Sequence, residues 1–242
     1  MSKAILSRSK DGKVANAVTP DGKKALLGNS FGIPSGVAFS CIAQTAFCAL
    51  ICYAGTLERL RPNVKALLVR NWQALQGISR SEMFDMLDHM ITEFEAECDK
   101  RSAPKLFRIH WDGDFFSTDY MIAWSKVVAA HQDTQFWVYT RVPASAVYLH
   151  KLKLANLGLY FSGDRDNIDV AKHLAAQGIN VAFVGSTWAE AEAALPGATR
   201  CPENNRALPL IDAKGSACAR CGLCVYGRKN VLFSVKKSPK KK

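Results

Sequence analysis

Lys105-Leu-Phe-Arg-Ile-His-Trp-Asp-Gly-Asp114 joins an apolar run of strand length to an abrupt polar turn. The run is rich in aromatic and branched side chains, which favours extended backbone. Ser117 is placed to cap a helix lasting to Ala130, with Tyr120, Met121, Trp124, Val127 and Val128 on its buried side. The same unit recurs downstream. Strands are expected at 135–140, 157–162 and 180–184, and helices at 144–154, 168–177 and 189–194. Upstream, residues 36–40 read as a first strand ending at Cys41, followed by helical stretches at 63–76 and 81–100. The second of these carries Met83, Leu87, Met90, Ile91 and Phe94 at helical period.

Five rounds of strand and helix demand parallel strands with right-handed crossovers. The fold class is therefore α/β, expected as a partial (β/α) barrel of five to six parallel strands. An open doubly wound sheet fits the order too, but no Gly-rich dinucleotide fingerprint follows any strand. Polar or reactive residues end every strand instead: Cys41, then His110 with Asp112 and Asp114, then Arg141, then Ser162 with Asp164, then Ser186 and Thr187. Barrels build their sites at that end. Around this 36–197 core stand an N-terminal arm of turns (1–35), a Cys-rich segment (198–233) and a basic tail (234–242).

The chain has 242 residues, 48% of them hydrophobic and 22% charged, which suits a soluble protein with a sizeable core. No apolar run is long enough to span a membrane and no signal-peptide pattern opens the chain, so a cytoplasmic location is expected. The net charge is +11, and the tail from Lys236 to Lys242 supplies five of those charges. Nucleic acid could be held through that tail; a solubilising terminus explains it equally well.

Eight cysteines in a reducing compartment point to metal or catalysis before disulfides. Cys218, Cys221 and Cys224 form Cys-x2-Cys-x2-Cys, a spacing typical of cubane iron–sulfur sites, and Cys201 would complete four ligands. Zinc is the alternative at these cysteines. Cys41, Cys48 and Cys52 follow the first strand and suggest a second cluster with one iron lacking a protein ligand, open to a small molecule. One [4Fe-4S] cluster, two, or a cluster beside a zinc all agree with this count.

Cys41, Cys48 and Cys52-Tyr53-Ala54, Arg70-Asn71, Phe107-Arg-Ile-His110 with Gly113-Asp114-Phe115, and Cys218, Cys221-Gly-Leu-Cys224 with Lys229-Asn230-Val231 together resemble the phage gene product 88 domain family. The likeness runs over about 28–233. The architecture is also similar to the radical SAM superfamily, whose partial barrel carries three cluster cysteines after its first strand. That resemblance implies that Cys41, Cys48 and Cys52 hold the cluster and that S-adenosylmethionine binds there. Gly113 and Asp114 would then orient its amino group, and Ser162 and Asp164 would lie near a ribose. The superfamily's spacing is Cys-x3-Cys-x2-Cys with an aromatic residue before the last cysteine; here it is Cys-x6-Cys-x3-Cys, with Ile51 in that place.

His110, Asp112 and Asp114 are the catalytic candidates, able by residue type to move protons or bind a cation. The plain alternative is an interior histidine beside two turn-forming acids. Arg141 could pair with a substrate carboxylate or phosphate, or form a surface ion pair; Asp164-Arg-Asp166 could be an exposed charged turn. Cys98 reads as structural, and Trp72, Trp124 and Trp137 as core. The functional expectation is an iron–sulfur protein with radical-SAM-like chemistry. The alternative is a non-catalytic, metal-stabilised protein that binds nucleic acid or a partner.

Overall fold

The computed structural model describes residues 5–19 and 21–236. Of the basic tail, 237–242 lie outside the described residues. The arm holds a hairpin, β1 (Asn16–Val18) with β2 (Lys24–Leu26), and then β3 (Ser30–Gly32). Four helices follow: α1 (Ala46–Ile51), α2 (Tyr53–Leu60), α3 (Pro62–Ala74) and α4 (Arg80–Lys100). The alternating part is β4 (Leu106–Asp112), α5 (Thr118–Ala130), β5 (Gln135–Thr140), α6 (Pro143–Leu152), β6 (Leu157–Gly163), α7 (Ile168–Ala176), β7 (Val181–Gly185) and α8 (Trp188–Ala194). The Cys-rich segment adds β8 (Thr199–Arg200), β9 (Ile211–Asp212), β10 (Gly215–Ser216), α9 (Ala217–Cys221) and β11 (Val231–Ser234).

Seven strands form one parallel sheet in the order β3-β4-β5-β6-β7-β11-β8. From β3 to β7 spatial order follows chain order, with no reversal that would create a doubly wound switch point. Two expectations are corrected. Residues 36–40 are a turn, opened by Gly36 at φ +96°, and the first strand of the parallel sheet is β3, Ser30–Gly32, inside the arm. The sheet also exceeds six strands, because the Cys-rich segment donates β11 and β8.

Period-two alternation along the strands divides the core. Phe107, Ile109, Phe136 and Val138 face α4 and α5, while Phe161, Val181, Phe183 and Leu232 face α6, α7 and α8. Trp124 is fully buried there and Cys98 packs in the same cluster. The opposite face shows Leu106, Trp137, Tyr139, Tyr160, Ala182 and Val231, covered by Val14 of the arm and by Val225, Cys201 and Cys224. The crossover helices α5 to α8 thus share one side, as in a segment of a (β/α) barrel. The other side is lined by both ends of the chain.

The capping box of Ser79 and Glu82 starts α4, and Ser117 caps α5 through the Tyr120 amide. Between β3 and β4 the register slips, Ser30 facing Arg108 but Gly32 facing Asp112. The extra residues bulge at His110, whose φ of +57° is left-handed and strained for a residue with a side chain.

Candidate functional site

The loop carrying Cys41, Cys48 and Cys52 is fastened across the C-terminal ends of β4, β5 and β6. Ser40 Oγ donates to the Pro34 carbonyl at 2.6 Å and accepts the Asp114 amide at 3.2 Å, which anchors Cys41 beside the end of β4. Thr45 caps α1 by accepting the Cys48 amide and donates to Asp164 Oδ2 at 2.6 Å. The Phe47 amide donates to Asp166 Oδ2 at 2.7 Å, and the Arg165 guanidinium stacks on the Phe47 ring, 4.3 Å from its centroid. Cys52 ends α1 and caps α2, its Sγ accepting the Gly55 amide at 3.3 Å.

Two charged residues from the strand ends support this loop. Arg141 donates from Nη1 to Asp164 Oδ2 at 2.6 Å and to the Ser162 carbonyl at 3.3 Å, and its guanidinium also reaches the Cys48 thiol. Asp164 is fully buried, while Arg165 and Asp166 after it form an exposed turn. Burial pushes the Cys41 thiol up to about 12 and raises that of Cys48, against which the Arg141 charge works in the other direction.

The His110, Asp112 and Asp114 candidates do not converge. His110 turns into the aromatic cluster under α5, bonded through Nε2 to the Tyr120 hydroxyl at 2.8 Å and edge-on to Phe115. Burial, with the nearby Arg108 charge, pushes its imidazole down to about 3, which keeps it neutral. Asp114 is occupied by its own chain: Oδ1 accepts from the Phe115 amide and Thr140 Oγ1, and Oδ2 from the Arg141 amide, each at 2.7 Å. Gly113, at φ +84°, has no room for a Cβ, which would lie 2.5 Å from Ile33 Cγ1 and 2.6 Å from Ser40 Oγ. That glycine serves the contact of the turn with Ile33 and Ser40.

Asp112 faces Glu58, a residue the sequence gives no reason to select because it reads as a surface acid of an amphipathic helix. Glu58 is buried and accepts from the Ser35 amide at 2.9 Å and Ser35 Oγ at 2.5 Å. Both Asp112 oxygens are buried without a hydrogen-bond donor. Burial, reinforced by the Glu58 charge, pushes the Asp112 carboxyl up to about 8.

The second group of cysteines lies on the sheet face opposite the crossover helices. Cys201, Cys218, Cys221 and Cys224 line one small pocket, floored by Val231 and flanked by Pro202. The Cys201 amide donates to the Leu232 carbonyl at 2.8 Å, which fixes this cysteine beside β11. The Cys218 amide donates to the Lys13 carbonyl of the arm at 2.9 Å. The Tyr139 side chain lies beside the Cys224 thiol, and the Lys13 and Arg108 charges lie near Cys218. Burial raises all three of the Cys201, Cys218 and Cys224 thiols, that of Cys224 up to about 12. Among the described residues no three His, Cys, Asp or Glu side chains are gathered around the position of a single metal ion. No helix among them is long and apolar enough to cross a membrane.

The family model described as Gene product 88 matches residues 4–227. The chain belongs to the Gene product 88 family. The Gene 88 protein of Mycobacterium phage L5 is 55% identical over 237 residues, covering 97% of this chain and 99% of that one. The Gene 88 protein of Mycobacterium phage D29 is 55% identical over 238 residues, with the same coverage. No solved structure matches the chain significantly. All seven cysteines of the two groups fall inside the stretch matched by the Gene product 88 model.

The acid pair gives this Gene product 88 chain a measurable pH signature. An unfolded aspartate ionises near 4. Between that value and about 8 the folded chain keeps a proton on Asp112 that the unfolded chain has lost. Stability attributable to this group is therefore full at low pH and falls as pH rises through that window. Asp112→Asn is expected to flatten the slope and raise the melting temperature at pH 8, because its amide can donate to Glu58. Thermal melts of both proteins between about pH 5 and 8 measure this; an unchanged slope refutes it.

Proposed function

We propose that the protein is an iron–sulfur protein with two cysteine-held centres, and that the centre at the strand ends carries radical-SAM-like chemistry. The observation that carries this reading is the fastening of the Cys41, Cys48 and Cys52 loop over the C-terminal ends of β4 to β6. Three thiols supply three ligands of a cubane and leave one iron for a small molecule, for which S-adenosylmethionine is the proposed ligand. Held by Cys41, Cys48 and Cys52, a reduced cluster would supply one-electron reduction of a bound small molecule.

The chain's own residues would do the rest. Arg141 offsets thiolate charge at Cys48, and Asp164 holds Arg141 in place. Asp114 positions the Thr140-Arg141 turn. The four thiols of the second pocket would hold a further [4Fe-4S] cluster, structural or electron-relaying; the single-ion geometry that zinc needs is not gathered there. The Tyr139 side chain and the Lys13 positive charge stand beside this pocket. Such contacts are among the levers that set a cluster's potential.

Analysis of anaerobically prepared protein for iron, sulfide and zinc tests the reading. Roughly eight irons per chain are expected for two cubanes, with half lost in Cys41→Ser and the other half in Cys221→Ser. Reductive cleavage of S-adenosylmethionine should vanish in Cys52→Ser. Colourless protein that carries zinc alone overturns the proposal. Because ligation requires thiolates and burial holds these thiols protonated, loading is expected to release protons and weaken as pH falls. Calorimetry of loading in two buffers of different ionisation enthalpy reads that release.

A further inference from the structure

Helix α2 is built inside out. Its two buried residues are Ala54 and Glu58, and the Glu58 carboxylate is turned inward to accept from Ser35. Tyr53, Leu57 and Leu60, spaced to share one helical face, look outward instead. The Tyr53 hydroxyl donates to the Trp111 carbonyl at 2.7 Å, which fixes the ring while about half of the residue stays exposed. The bonds from Ser35 to Glu58 tie the following turn to the same helix, and that turn shows Val37 and Ile42 to solvent. Leu50, near the end of α1, is 83% exposed, Leu60 69% and Val37 67%, so nothing in the chain covers them. A lone exposed leucine is ordinary, but this many large apolar side chains about one short helix mark an interaction surface. The charge around them is one-sided. Residues 35–51 carry no charged side chain. From 52 to 79 the one acid is the buried Glu58, whereas Arg59, Arg61, Lys65 and Arg70 are all exposed. None of these four bases is paired with an acid among the described residues, in contrast to Arg80 and Arg101 on the next helix.

We propose that this face, formed by the 36–42 turn, α1 and α2, docks the protein on an anionic lipid surface. Leu50, Leu57 and Leu60 enter the boundary of headgroups and acyl chains, and Arg59, Arg61 and Lys65 meet the headgroups. The combination of apolar insertion and basic flanks is what surface attachment requires. Long basic side chains can lay their stems along the apolar residues and keep their charge at headgroup level, where a tyrosine ring is also at home. The charge-free run of 35–51 leaves nothing there to resist transfer out of water. Other occupants fit less of the face. A second copy in a two-fold contact would bring the same bases against themselves. Nucleic acid would satisfy the bases and leave the leucines against a polar backbone. A protein would have to offer matching pockets to side chains from three separate elements, whereas fluid lipid needs no matching shape. This is attachment to a surface and not a span, since no described helix is long and apolar enough to cross. It does not depend on what fills either group of cysteines.

The test is co-sedimentation of the full chain with vesicles of mixed phosphatidylglycerol and phosphatidylcholine, at low and at raised salt, beside vesicles of phosphatidylcholine alone. Wild type should prefer the anionic vesicles and bind them less as salt rises. The basic tail can also meet anionic lipid, so the deciding variant removes apolar side chains and no charge. Leu50→Ser combined with Leu60→Ser should weaken binding about tenfold or more. Arg59→Gln combined with Arg61→Gln should weaken it by about the same factor at low salt. All four positions are exposed, so thermal melts of both variants should match wild type. Wild-type protein that ignores anionic vesicles overturns the proposal. Binding that the leucine pair leaves unchanged overturns it too, and assigns the attachment to the tail. Self-association, or retention of duplex DNA, that the leucine change abolishes while vesicle binding persists would give the face to another copy or to nucleic acid, and equally overturns it.

Discussion

Gly158→Ala is expected to lift the Cys-rich segment off the sheet and break the four-cysteine pocket. Gly158 lies near the start of β6. A Cβ there would stand 2.3 Å from the Cys224 carbonyl oxygen, 2.7 Å from that of Val225 and 3.0 Å from the Gly227 nitrogen. All three are backbone atoms, so no side chain can swing aside to make room. The chain at 224–227 is itself tied down, with the Val225 carbonyl accepting from Gln135 Nε2 at 2.8 Å and the Gly227 carbonyl from Asn180 Nδ2 at 2.7 Å. Relief therefore means breaking those bonds or displacing β6. A cost of about 3 kcal/mol or more is expected, at the high end for overpacking. The measurements are a thermal melt and the rate at which a thiol reagent reaches Cys201, Cys218, Cys221 and Cys224 in metal-free protein. Wild-type values in both would show that the segment does not lie against β6 as described.

Asp164→Ala ranks next, because one carboxylate serves three elements at once. It accepts from Thr45 of the cysteine loop, from Arg141 at the end of β5, and from the Asp166 amide of its own turn at 2.9 Å. Asp164 is fully buried and Arg141 nearly so. Removing one member of a buried ion pair strands the other, at a cost of about 3–5 kcal/mol. The effect should also be local in character. Amides from Thr45 to Cys48 are expected to exchange with deuterium much faster, while those of the Cys-rich segment keep their wild-type rates. Asp164→Asn, which keeps an acceptor for Thr45, should be milder. Equal exchange in wild type and Asp164→Ala would refute the fastening role.

The contrast between what the sequence disclosed and what it hid has physical causes. β4 to β7 and α4 to α8 were legible because each carries its own periodicity, and Ser117 also marks the start of α5. β3 was missed because Ser-Phe-Gly is too short to show alternation; it is a strand by virtue of burial next to β4. Residues 36–40 misled for the opposite reason, being apolar yet turned by Gly36. Val231–Ser234 has the composition of a strand, but nothing local says that it returns beside β7. At the strand ends the residue types were visible while their directions were not. The bulge at His110 sends that side chain to the helix side and leaves Asp112 to Glu58. Gly158 carried a signal, an isolated glycine within a strand pattern, which implies a close backbone approach.

The meeting of arm and Cys-rich segment has a consequence for biogenesis. The Asn16 amide donates to Ser216 Oγ, and that hydroxyl donates to the Gly12 carbonyl, partners about 200 positions apart. The arm can pair locally in its β1–β2 hairpin, but its bonds to Ser216 cannot form until that residue has been made. Contacts of such long sequence separation form late and slowly. The pocket of Cys201, Cys218, Cys221 and Cys224, which the arm meets through the Lys13 carbonyl, is therefore among the last parts of the fold to close.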